Sequence, residues 1–208
     1  MASIQIYSML TPTLPSTLDA TTTINQFKDA AKSWHDAGCN KVNFAYINEP
    51  TESAAIQFMS DATYFSDPVS DGGCTHLQVD LDTWKIVYFT ENSLWNTTTD
   101  IMFNSSSRFA YQWSNLLIPS GYEDYQICFQ AVALHEIGHL IGFAHCPQPS
   151  AIMDSIDYSG GASVRIALSQ YDIKEIQIMS DCEPPGIPLP KILQIESKVN
   201  FINPNDKK

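Results

Sequence analysis

Three of the five histidines in the 208-residue chain lie within one segment, HEIGHLIGFAH, at residues 135–145. Residues four apart share one face of a helix, so His135 and His139 can direct both imidazoles at one metal ion. Gly142 permits a left-handed turn at the helix end, after which His145 can return as a third nitrogen ligand. Three histidines leave one position of a tetrahedral zinc open, which is typical of a catalytic zinc site.

Glu136 follows the first of these histidines and is directed at the space beside the metal, where a water molecule would bind. Zinc lowers the pKa of such a water, and Glu136 would act on it first as general base and then as general acid. The HExxH pattern alone occurs by chance in unrelated chains, but the added glycine and third histidine favour a zinc site. A solvated helix carboxylate is the weaker alternative for Glu136.

The chain resembles the metzincin clan of zinc endopeptidases in this segment and in the one that follows it. Residues 150–153 read SAIM, and Met153, eight residues after His145, resembles the metzincin methionine whose side chain lies beneath the metal. An ordinary core methionine is the alternative. Within the clan the likeness is to matrixins, the matrix metalloproteinase family, and it covers residues 4–182. Weaker similarities support it in four segments, namely residues 4–18, 24–34, 89–95 and 168–177.

The resemblance implies an α+β domain over residues 1–182 with the metzincin fold. This fold has a twisted, mixed five-stranded sheet, two long helices and a C-terminal helix. It also implies an active-site cleft between an upper subdomain that ends near residue 142 and a lower subdomain at 143–182. A sheet edge near residues 74–81 would hold an extended peptide by strand pairing. The proline-rich segment 183–208 is interpreted as a tail, either a linker or a surface strap.

The function implied by this resemblance is zinc-dependent endopeptidase activity on protein or peptide substrates. The alternative is a metzincin-fold binding or inhibitory module with weak or absent catalysis, and a non-peptidase hydrolase is a third, weaker interpretation. Substrate specificity is not predicted, because residues 154–158 depart from the family's usual Tyr-Pro-x-Tyr.

The chain departs from the matrixin pattern at the second metal site. Matrixins usually carry a structural zinc held by three histidines and an aspartate. Here only His76 matches one of those ligands, and Tyr88 stands where the family has a histidine. A structural second zinc is therefore not expected. Calcium binding is left open at Asp80 and Asp82, although paired acids on a loop are more often solvated.

The composition argues against several classes of function. A net charge of −12 argues against nucleic acid as a partner, because phosphate binding needs clustered lysine and arginine. No run of 18 apolar residues occurs, so membrane insertion is not expected. The length suits one domain, and a monomer is expected.

The N-terminal residues lack the basic start and apolar core of a signal peptide. Two interpretations follow. The favoured one is a mature or trimmed catalytic domain of a secreted, extracellular protein, and the other is a protein made without a signal.

The five cysteines include no CxxC pair, which argues against a second zinc site made of thiolates. Five is an odd number, so at least one cysteine is unpaired within the chain. The first pairing hypothesis joins Cys146 to Cys182, and the second joins Cys39 to Cys74. Cys128 is expected to be a buried thiol that packs like a small apolar residue.

Hydrophobic periodicity predicts three helices. A stripe that includes Phe27 and Trp34 predicts a helix over 22–37 that Gly38 ends. The motif helix is predicted at 125–141. Ser169 is predicted to cap a last helix whose three apolar side chains face inward, namely Ile173, Ile176 and Met179.

Short strands are predicted between the first two helices and at the start of the chain. Residues 92–108, rich in Asn, Ser and Thr, are predicted to form an exposed loop. The predicted strand segments are residues 4–10, 41–47, 53–60, 75–81 and 84–90.

Overall fold

The structure is a computed structural model. The part of the chain that it describes contains three α-helices and nine short strands. The described residues are 4–7, 14–42, 44–47, 56–77, 79–80, 85–86, 100–117, 125–154, 165–180 and 182. The helices are α1 Ala20–Ala37, α2 Phe129–Leu140 and α3 Gln170–Met179. The strands are β1 Ile4–Tyr7, β2 Phe44–Ile47, β3 Ile56–Met59, β4 Gly73–His76, β5 Val79–Asp80, β6 Lys85–Ile86, β7 Asp100–Asn104, β8 Gln112–Ser114 and β9 Gln126–Cys128.

The largest sheet among these strands is mixed and has the order β3-β7-β4. Strand β3 runs parallel to β7, with Ile56 opposite Ile101, and β4 runs antiparallel to β7, with Cys74 opposite Met102. Strand β1 pairs in parallel with β2, β5 pairs antiparallel with β6, and β8 pairs in parallel with β9. This mixture confirms the predicted α+β class. The single five-stranded sheet and the cleft between two subdomains stay predictions.

Strand β7 is the central strand of that sheet, so the exposed loop predicted for residues 92–108 is wrong over residues 100–104. Ile101, Met102 and Phe103 are all buried, although Asn, Ser and Thr dominate the surrounding sequence. Pairing with a strand on each side provides hydrogen-bond partners for the backbone N–H and C=O groups of this short apolar run. Its side chains join the core. Residues 92–99 lie outside the described residues.

Helix α1 has the predicted apolar stripe and the predicted end. Phe27, Ala31 and Trp34 are buried, and Gly38 is the C-cap, with its N–H bonded to the Trp34 carbonyl. The indole N–H of Trp34 donates to the backbone carbonyl of Leu134 at 2.8 Å. This buried hydrogen bond joins α1 directly to α2, the helix that carries the histidine motif.

Four aromatic side chains fill the space between the mixed sheet and α2. Phe103 and Phe129 have ring centroids 4.8 Å apart, and each also packs against Phe58 and Trp113. Burying each such side chain contributes about 1.5–3 kcal/mol or more before entropy losses. The start of α2 is therefore held against the sheet by packing rather than by a polar cap, since Cys128 at the N-cap makes no side-chain capping bond.

Helix α3 begins with the predicted cap. Ser169 and Asp172 form a capping box, in which each side chain accepts from the other's backbone N–H. Ile176 is buried as predicted, whereas Met179 is 48% exposed and its predicted inward orientation is wrong. The buried positions are Asp172, Ile176 and Ser180, which follow one another at intervals of four. Met179 lies one position off this stripe and faces outward.

Cys39 and Cys182 form a disulfide bond across a sequence separation of 143 residues. This pairing overturns both pairing hypotheses, because Cys74 and Cys146 are free. The bridge forms because α1 packs against α3, which brings the residue just after α1 close to the residue that follows α3. Cys128 is fully buried and free, as expected.

Reduction of this disulfide is expected to lower the free energy of unfolding by about 2–4 kcal/mol, because the bridge restricts the unfolded chain. Urea unfolding with and without a reductant measures the change. A Cys74→Ser, Cys146→Ser double variant keeps the bridge and should show the same loss on reduction. Titration of the denatured, unreduced protein should find the three free thiols of Cys74, Cys128 and Cys146. A count of five, or an unchanged urea midpoint on reduction, would contradict the pairing.

Some predicted features lie outside the described residues. These are the tail at 183–208, residues 155–158 of the specificity segment, Tyr88 and Asp82, and the side chains of His76 and Asp80. Among the helices that are described, none is both long enough and apolar enough to cross a membrane.

Candidate metal centre

The end of helix α2 sets the positions of the three motif histidines. The helix closes with the two hydrogen bonds of a Schellman motif, from Phe143 N–H to the Gly138 carbonyl and from Gly142 N–H to the His139 carbonyl. Gly142 has a φ of 109°, a value that side chains with a Cβ rarely adopt. The predicted turn at Gly142 is therefore confirmed. The chain reverses here, and His145 comes back beside the helix.

The three histidines converge on one point through their Nε2 atoms. The Nε2 of His135 lies 3.1 Å from that of His139 and 3.1 Å from that of His145, and the third separation is 3.2 Å. Nitrogens bound tetrahedrally to zinc at about 2.0–2.1 Å would be about 3.3 Å apart. The cluster therefore fits a zinc ion with three histidine ligands and one open position. It is the group with metal-binding geometry among the described residues.

The outer nitrogens of two histidines are held by backbone carbonyls. His135 Nδ1 lies 2.7 Å from the Ile152 carbonyl oxygen, and His139 Nδ1 lies 2.7 Å from that of Phe143. A carbonyl oxygen only accepts, so each Nδ1 carries the proton and each Nε2 presents its lone pair to the cluster. The Schellman turn that includes Phe143 thus also orients His139.

Burial keeps these imidazoles neutral. It lowers the pKa of His135 to about 3, with a further lowering from His139. Burial lowers the pKa of His139 to about 4, and it also lowers the pKa of the more exposed His145. Neutral imidazole is the form that binds a metal, so the ligand set is in the required protonation state at neutral pH.

Glu136 is almost completely buried between α2 and strand β4, at 4% exposure. The Thr75 hydroxyl lies 2.7 Å from Glu136 Oε2 and 3.0 Å from the Glu136 backbone carbonyl. Burial raises the pKa of Glu136 to about 7, against the lowering effect of the Thr75 hydrogen bond. A carboxyl group with such a pKa can both take up and release a proton near neutral pH.

Met153 lies against the histidine helix, at 2% exposure. A Cβ atom built on Gly138 would lie 2.2 Å from the Met153 sulfur and 3.0 Å from the Trp34 ring. The methionine thus occupies space that any side chain at Gly138 would need. The residue before Met153 is Ile152, whose carbonyl accepts from His135 and whose N–H donates to Asp172 at 2.9 Å.

A cleft of about 710 Å³ opens in front of the histidine cluster. Its described lining includes the three histidines, Glu136, and several residues of the segment that runs into and along β4. Asp71 and Glu136 are the acidic side chains of this described lining, which includes no lysine or arginine, so the side chains of the cleft are acidic rather than basic.

Sequence reasoning found the three histidines, Glu136 and Met153, and the structure brings all five into one region. It missed Gly73 and Thr75, which contact Glu136 from strand β4. No local pattern marks these two residues, because a threonine and a glycine in a strand have many ordinary uses.

The family model described as Matrixin matches residues 5–180 of the chain. No curated protein sequence shows significant similarity to it. The matched segment includes the whole histidine cluster, strand β4 and helix α3.

Proposed function

The chain belongs to the matrixin family of metallopeptidases, and from this membership we propose that it is a zinc-dependent endopeptidase that hydrolyses internal peptide bonds of proteins. His135, His139 and His145 are the proposed zinc ligands. The observation that carries the proposal is the convergence of their three Nε2 atoms, 3.1–3.2 Å apart, beside a buried carboxylate in an open cleft.

Zinc, when bound, would polarise the scissile carbonyl and lower the pKa of the attacking water. Glu136 is the proposed general base and acid. It takes a proton from that water and returns it to the nitrogen of the leaving amine. Its burial and raised pKa support both steps, because the carboxyl can hold the proton between them.

Strand β4 is the proposed binding edge for the substrate. It pairs with β7 on one side, and no described strand pairs with its other side. An extended peptide could add to that free edge by backbone hydrogen bonds, which fix its register without reading its side chains. The exposed Leu77, next to the end of β4, also lines the cleft.

Met153 is the proposed methionine of the metzincin turn, which forms an apolar floor beneath the metal. The contact between its sulfur and Gly138 supports this role. We further propose that residues 1–182 form the catalytic domain, divided near residue 142 into an upper and a lower subdomain, with 183–208 as a tail.

We also propose that the protein acts outside the cell, as a monomer, on protein or peptide substrates. Matrixins are generally extracellular, and the Cys39–Cys182 disulfide is of a kind that persists in oxidising compartments.

Incubation of the zinc-loaded protein with a denatured protein, with and without 1,10-phenanthroline, tests the function. The expected result is new peptide N-termini that disappear with the chelator and return when zinc is added. Elemental analysis should find one zinc per chain. Cleavage that the chelator leaves unchanged would contradict the metal's role. One bound zinc without any cleavage would instead favour the binding or inhibitory module.

A further inference from the structure

We propose that Thr75 is a positioning residue, which holds the Glu136 carboxylate in the orientation needed for proton transfer. This inference rests on the proposed endopeptidase function and adds a specific residue to it. Thr75 lies on strand β4, whereas Glu136 lies on helix α2, and the two residues are 61 positions apart in the sequence.

The Thr75 hydroxyl contacts both ends of Glu136. Its Oγ1 lies 2.7 Å from the carboxylate Oε2 and 3.0 Å from the backbone carbonyl oxygen of the same residue. Hydrogen bonds to an ionised carboxylate are about twice as strong as neutral ones. Threonine is also stiff about χ1, because it is branched at Cβ. The hydroxyl is therefore a rigid support for an otherwise flexible glutamate side chain.

Gly73 restricts the other side of the carboxylate. A Cβ built on Gly73 would lie 3.0 Å from both Oε1 and Cγ of Glu136. Residues two apart in a strand project from the same face, so Gly73 and Thr75 present one surface of β4 to the glutamate. The carboxylate packs against the bare backbone at Gly73 and is hydrogen-bonded at Thr75.

These two contacts divide the roles of the carboxylate oxygens. Oε2 is occupied by Thr75, and within the described part of the chain no hydrogen-bond donor contacts Oε1. Oε1 is thus the oxygen left to exchange a proton with a water in the cleft. Thr75 lies on β4, the proposed substrate-binding strand. The same strand would therefore position both the bound peptide and the Glu136 carboxylate.

The test compares Thr75→Val, which keeps the shape but lacks the hydroxyl, with Thr75→Ser, which keeps the hydroxyl but lacks the methyl group. We expect Thr75→Val to lower kcat by about 10- to 100-fold, because small displacements of a catalytic group cost about this much. KM and zinc content should stay unchanged. Thr75→Ser should stay within about threefold of the parent protein, since the hydroxyl is what positions Oε2.

Equal losses in the valine and serine variants would overturn the proposal, since they would indicate packing rather than hydrogen bonding. A parent-like kcat in Thr75→Val would also overturn it. Urea unfolding checks that each variant is folded, and Thr75→Ala replaces Thr75→Val if the latter does not fold.

A double variant separates positioning from indirect damage. In a Glu136→Ala background, Thr75→Val should change the residual activity by less than about twofold, because the hydroxyl acts only through the carboxylate. A full additional loss there would overturn the proposal. An inactive parent protein would refute the proposed function itself, whereas an active parent with an unaffected Thr75→Val variant would refute only the role of Thr75.

Discussion

Replacement of Glu136 by alanine is expected to lower kcat/KM for peptide cleavage by about 10²–10⁴-fold, the usual contribution of a general base. The variant should still bind one zinc, because the substitution leaves the three histidines and the two backbone carbonyls that orient His135 and His139 unchanged. Activity on a quenched-fluorescence peptide and zinc content by elemental analysis measure the two effects separately.

Two controls sharpen this result. Glu136→Gln keeps the shape of the side chain and can still accept from Thr75, but its amide cannot hold the proton, so it should be as inactive as the alanine variant. Asp29→Ala removes an exposed carboxylate on α1 that is distant from Glu136 in the sequence, and it should leave kcat/KM unchanged. Peptide cleavage by Glu136→Ala at the parent rate would reject the proposed role of this residue.

Replacement of Asp172 by alanine is expected to lower the free energy of unfolding by about 2–4 kcal/mol, because it leaves buried donors without a partner, at about 1–3 kcal/mol each. Asp172 is 2% exposed. Its carboxylate accepts from the Ser169 N–H at 2.8 Å, from the Ser169 hydroxyl at 2.7 Å and from the Ile152 N–H at 2.9 Å. Urea unfolding of the metal-free protein gives the stability change without a contribution from zinc.

The same substitution should also weaken zinc binding, by up to the roughly 10- to 100-fold that is typical of losing a direct hydrogen-bond partner of a metal ligand. Asp172 acts through one residue, Ile152, whose N–H donates to Asp172 and whose carbonyl accepts from His135 Nδ1. Competition with a chromophoric chelator measures the affinity.

Ser169→Ala is the matched control, because it removes the cap of the same helix but leaves the bond between Asp172 and Ile152. It should cost only about 1 kcal/mol and should not change zinc affinity. Equal losses in the Ser169 and Asp172 variants would show that Asp172 acts as a helix cap alone.

Most features that depend on local spacing were predicted correctly from the sequence, although the motif helix predicted at 125–141 begins only at Phe129, after strand β9. The end of α1 at Gly38, the cap at Ser169 and the turn at Gly142 are each confirmed. Each of them depends on residues within one or two helical turns, where backbone dihedrals alone determine which groups meet.

The wrong predictions concern burial and long-range contact. Asn, Ser and Thr around residues 100–104 indicated an exposed loop, yet pairing with a strand on each side makes that segment the centre of a sheet. Met179 has an apolar side chain at helical spacing, but the helix packs through Asp172, Ile176 and Ser180 instead. In both cases the partner elements, which local composition does not report, decided which face was covered.

The sequence by itself indicated the three histidines of the candidate metal centre as a group, because two of them are one helical turn apart and a glycine permits the turn that brings back the third. Only the tertiary structure decided that Thr75 supports Glu136, that Asp172 supports the turn beneath His135, and that Cys39 bonds to Cys182. The physical reason is the range of the contacts. Within a helix the distance between two side chains follows from the backbone geometry, whereas contacts between separate elements depend on how the whole chain packs.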